Sequence, residues 1–197
     1  MSAAKNMVEL GALVAASHGW EEARRFKKYR PSDADKAILA TSTREMLDVF
    51  PDMAGACSMM SAAFAVHLER RMSAPIHVVA GALWADGVRV FGTDTGIIES
   101  RTFSESSFDW DGPVWVMVGG YVADISLFRT AYSREAPPAL SSHVAATFGP
   151  GKGMYFDDWR KTRKLGLRYE PSYVLPVGQV DGLLAGAHEL VTNRTAR

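Results

Sequence analysis

The chain has a single cysteine, Cys57, so covalent chemistry on a thiol has one possible starting point. A thiol is a useful nucleophile only as its thiolate. Cys57 stands in Gly55-Ala56-Cys57-Ser58, just ahead of Met59, Met60, Ala63, Phe64, Ala65 and Leu68. Their spacing predicts a helix from Cys57 to Met72, with Glu69, Arg70 and Arg71 at its wet end. The start of a helix lowers a thiol pKa, and its free N–H groups can hold an oxyanion. The bland alternative is a small buried apolar residue, because cysteine is among the most buried types.

An attacking thiol needs a base, and the base needs orienting. Five histidines are available: His18, His67, His77, His143 and His188. His67 lies ten residues along the predicted Cys57 helix, about 15 Å away and out of reach. His143 falls in a predicted helix beyond the core. His77 opens the strand after the Cys57 helix and is the candidate base; its ordinary alternative is a surface or satisfied core residue. Asp111, in Asp-Gly, is a weaker candidate base or a loop-capping acid. Asp124 sits between Ala123 and Ile125, where a carboxylate is costly to bury unpaired. Its partner is an imidazole if the site is an enzyme, and otherwise a backbone N–H, Ser126 or Arg129.

The elements that must position these groups are legible in outline. A short helix around Val8–Val14, a turn at His18-Gly19 and a charged helix over Glu21–Tyr29 come first. Ser32 caps a helix over Asp33–Phe50, with Asp35 as its capping-box partner. After the Cys57 helix the texture changes to strands: Ile76–Trp84, a turn at Asp86-Gly87, and Val88–Phe91. Val114–Val118 and Tyr121–Ile125 form a second hairpin around Gly119-Gly120, and 96–112 reads as a polar loop. Leu127–Ser133 and Pro138–Thr147 are predicted helices, Phe148–Gly153 a loop, Tyr173–Val177 a last strand and Val180–Val191 a closing helix.

In this order, with Gly112-Pro113-Val114-Trp115-Val116 followed by Val122-Ala123-Asp124-Ile125-Ser126, residues 55–127 resemble the transglutaminase-like branch of the papain-like cysteine enzymes. The resemblance implies a cysteine-bearing helix packed on a small antiparallel sheet. Cys57 matches the nucleophile and Asp124 the orienting acid, while Gly112, Trp115 and Val116 match the frame around the catalytic histidine. The histidine slot itself holds Pro113, which can neither accept nor donate a proton. Two explanations are open: the scaffold has lost catalysis, or another base, His77 first, takes over.

The expected protein is therefore one α+β domain over 1–197: a helical lead-in (1–50), a papain/transglutaminase-like core (55–127) and C-terminal helices with a loop (128–197). Its expected function is that of a cysteine hydrolase or acyltransferase acting on an amide or peptide bond. The alternative is an inactive relative that binds a protein partner or regulates one. The Asp94-Thr95-Gly96 triplet lacks the second copy an aspartic protease needs. Gly149–Gly153 departs from the phosphate-loop pattern. Arg160, Lys161, Arg163, Lys164 and Arg168, flanked by Trp159 and Tyr169, form a basic cluster that reads as a solvated face first, or else as an anion or nucleic-acid site.

The formal net charge is zero, with 22 basic and 22 acidic residues, so no global field draws nucleic acid or an anionic membrane. One cysteine forms no internal disulfide and no structural zinc site of the kinds that need several thiolates, which points to a reducing, cytoplasmic setting. No signal peptide or membrane span is read, and no cofactor or metal is expected.

Overall fold

The computed structural model describes residues 3–50, 56–92 and 112–195. Its element order is α1 (Ala3–Lys28), α2 (Asp33–Val49), α3 (Cys57–Glu69), β1 (Ile76–Ala85), β2 (Val88–Phe91), β3 (Val114–Val118), β4 (Tyr121–Asp124), α4 (Leu127–Ala131), α5 (Pro138–Thr147), β5 (Tyr155–Asp158), β6 (Leu167–Val174) and α6 (Val177–Thr195). The class is α+β, as expected. The predicted loop 96–112, Asp111 and the Asp-Thr-Gly triplet fall mostly or wholly outside the described residues.

The helical lead-in follows its local signals. α1 is broken at Gly19, whose φ of 85° suits glycine. The two halves fold back on one another, since a Cβ on Gly11 would lie 2.0 Å from Cε of Lys27. Ser32 and Asp35 form the expected capping box at the start of α2.

The sheet is antiparallel and organised by β1. Residues Ile76–Ala80 pair with β3, residues 83–85 pair with β2, and the opposite edge of β1 pairs with β6. β4 pairs with β3, and β5 with β4. β5 was not expected, and the last strand is Leu167–Val174 rather than Tyr173–Val177. Pro171 disguises that strand in the sequence, because proline cannot donate to a ladder. It is accommodated opposite Gly81, where the register shifts. The approach is close: a Cβ on Gly81 would lie 2.0 Å from the carbonyl oxygen of Glu170.

Both faces of the sheet are buried. Ile76, Val78, Ala80, Val114, Val116, Val118 and Ala123 pack with residues of α2, α3 and α6. Val79, Leu83, Trp115, Met117 and Val122 pack with Leu10, Val14, Ala23 and Phe26 of α1 and with Leu140 and Val144 of α5. No helix among the described residues is long and apolar enough to cross a membrane.

Candidate functional site

Cys57 is the first residue of α3, as its sequence neighbourhood predicts. The preceding Ala56 supplies no side-chain cap. A serine one turn along, Ser61, donates to the carbonyl of Val114 at 2.8 Å and ties the first turns of α3 to the start of β3. The Cys57 sulfur faces the Thr130 hydroxyl of α4 at 3.5 Å. Burial pushes the thiol above its ordinary pKa; the Thr130 and Ser126 hydroxyls pull the other way, and the nearby Asp124 adds to the rise. A helix start favours a thiolate by about 1 kcal/mol at most exposed sites. Here desolvation wins, so the resting species is the neutral thiol.

Asp124 closes β4 and is 1% exposed. It has four donors. Oδ1 accepts from the backbone N–H groups of Ser126 (2.9 Å) and Leu127 (3.0 Å) and from the Ser126 hydroxyl (2.8 Å). Oδ2 accepts from the Tyr169 hydroxyl at 3.0 Å. The carboxylate therefore shapes the turn into α4 and anchors a phenol from β6. Burial still holds its pKa above the ordinary range, against the pull of those donors. Burial also raises Tyr169, with the Asp124 charge beside it adding to the effect. Of the partners weighed for Asp124 in the sequence, the backbone N–H groups and Ser126 are present. Arg129 instead donates to the carbonyls of Phe50 (3.0 Å) and Leu47 at the end of α2.

His77 is not brought to this site. Its ring packs 4.6 Å from His18 and 5.6 Å from Phe26, both on α1. That is the sheet face opposite α3. It also pairs with Met117, three residues beyond Val114 on β3, which is about 10 Å along the strand. The other imidazoles are engaged elsewhere: His18 with the Leu175 carbonyl, His67 with Glu45, His143 with the Leu165 carbonyl and His188 with Thr192. Residues outside the described set include no histidine.

Pro113 immediately precedes β3, and its carbonyl accepts from the Gly81 N–H at 3.4 Å. The β3–β4 register pairs Val116 with Ala123; continued three positions, it sets Pro113 opposite Ser126. Trp115 is fully buried, edge-on to Tyr169 with ring centroids 5.1 Å apart. Sequence reasoning missed Thr130 and Tyr169. Thr130 carries no motif, and Tyr169 reaches the site from a strand not recognised as one.

Within the basic cluster, Arg160 is neutralised by Asp158 (2.6 Å). Arg168 lies over Trp84, 3.8 Å from the ring centroid, and 3.4 Å from Glu170. Lys161, Arg163 and Lys164 point to solvent. Among the described residues, no group of three or more His, Cys, Asp or Glu side chains could hold a metal ion. The chain matches no family model, no curated protein and no solved structure.

Proposed function

We propose that this is a transglutaminase-like scaffold that works as a binding or regulatory module, without acyl transfer at Cys57. The observation that carries this reading is that Cys57 meets hydroxyls and no imidazole, while all five histidines are placed elsewhere. A cysteine enzyme of the kind that residues 55–127 resemble needs a base to take the thiol proton and return it to the leaving group. Pro113 supplies none. Asp124, which would orient such a base, is committed to its turn and to Tyr169.

One observation favours the enzyme reading. The Ser126 hydroxyl donates to Asp124 and pulls the Cys57 thiol pKa down, a hydroxyl–carboxylate pair that a hydrolase or acyltransferase acting on an amide or peptide bond would use beside its thiol. Burial opposes that use at both ends: it holds the proton on the Cys57 sulfur and favours the neutral form of Asp124, which leaves no free place for that proton.

The rate of Cys57 alkylation against pH separates the readings, because every label reports on this one residue. The module reading expects slow labelling with an apparent pKa above the ordinary thiol value of about 8.5. Fast labelling with an apparent pKa two or more units below it would sink the reading and start a substrate search. A Pro113→His variant sharpens the test. If the site differs from an active one chiefly by its base, this change lowers the alkylation pKa by at least a unit.

A further inference from the structure

We propose that the α1 hairpin is an acid-sensitive latch: protonation of His77, packed against His18, releases the hairpin from the sheet face it covers, while the Cys57 face stays folded. The proposal is independent of any reading of Cys57.

His77 is 4% exposed, and neither ring nitrogen has a hydrogen-bond partner. Its Nε2 lies 3.4 Å from Oε1 of Glu22, outside hydrogen-bond geometry. Glu22 is already engaged, with Oε2 held by Arg25 at 2.7 Å. His18 holds the Leu175 carbonyl through Nε2 at 3.0 Å. A carbonyl can only accept, so Nε2 carries the proton and an added proton must go to Nδ1. The charged groups around the pair come from three helices: Glu22 and Arg25 from α1 itself, Glu69 from α3, and Asp181 from α6 beside Glu69. A proton on His77 would therefore sit in a dry site against His18 and Arg25, with one shared carboxylate for relief.

The hinge and the latch points adjoin this pair. Gly19, at φ 85° and ψ 164°, breaks α1 directly after His18. Ser17 donates to the Val174 carbonyl at 2.7 Å, next to the His18–Leu175 bond. These two side-chain bonds fasten the hairpin apex to the end of β6. Phe26, fully buried, leans on His77 from the second half of the hairpin.

Burial first, then His18 and Arg25, lower the His77 pKa from 6.5 to about 3 in the docked state. A released His77 would regain an ordinary pKa of about 6.5. Between these values the released form binds more protons than the docked one. Docking is thus fully favoured above about pH 6.5, and each pH unit below it raises the released population about tenfold, until about pH 3.

Amide hydrogen exchange resolved by peptide, from pH 7.5 to 3.5 and corrected for intrinsic rates, tests the latch. The expected result is a loss of protection in α1 of about tenfold per pH unit below about 6.5, with β3 and β4 still protected. His77→Phe should flatten that slope. Should His77→Phe not fold, His77→Gln takes its place; it too lacks a group that titrates in this range and should flatten the slope. Simultaneous loss of protection in α1 and β3 overturns the latch. So does a wild-type slope in whichever His77 variant folds.

Discussion

Two buried ionisable groups of the sheet are treated in opposite ways. Asp124, at the Cys57 end, is given four donors within 3.0 Å. His77, under α1, is given none. Burial favours the neutral form of each, and so moves the two pKa values in opposite directions, up for the acid and down for the base. Acid therefore steadies the fold through Asp124 and loosens it through His77. The difference teaches where rigidity has been placed. The region around the thiol is tied by directional bonds to a turn, a helix start and a distant strand. The region under the hairpin is held by packing around an imidazole that loses its place when charged.

Three substitutions test that contrast. The largest effect is expected from Asp124→Ala, which frees the buried Tyr169 hydroxyl and uncaps the turn into α4. Denaturant unfolding at pH 7 should show a loss of about 3 kcal/mol; a loss below about 1 kcal/mol would mean that the bonds hold little. Next comes Arg129→Ala, which strips the Phe50 and Leu47 carbonyls of a charged donor. It should cost about 2 kcal/mol and speed alkylation of Cys57 by loosening α4 from α2. An unchanged labelling rate would separate α4 from the guarding of the thiol. The smallest is Thr130→Val, near neutral in stability at about 0.5 kcal/mol. With the hydroxyl that opposes desolvation removed, the apparent pKa of Cys57 should rise further in the alkylation profile. A fall would show that Thr130 is not the thiol's main polar contact.

Much of this architecture was legible because local signals carry it. The Ser32–Asp35 box, the Gly19 break, the Asp86-Gly87 turn and the start of α3 at Cys57 are each specified by a few neighbouring residues. The face on which His77 lies was not. β1 reads Ile-His-Val-Val-Ala-Gly-Ala-Leu-Trp-Ala and is largely buried on both sides, so no alternation marks which side chains accompany α3. β6 escaped because Pro171 and its charged neighbours imitate a loop, and its pairing to Gly81 is visible only in three dimensions. The partners of Asp124 were legible by type, as backbone N–H groups and Ser126. The Tyr169 contact was hidden along with its strand.

The placement of β1 between strands that soon follow it and one made much later has a consequence for synthesis. β2 and β3 soon follow β1, but β6 comes after nearly all of the rest. Until residues 167–174 leave the ribosome, one long edge of β1, rich in Val, Ala and Leu, lacks its native neighbour. Such an edge invites pairing with other nascent chains. Ribosome-bound chains truncated before residue 167 should therefore lean on chaperones far more than those extending past 174, and the handover marks the point in translation at which the sheet can close.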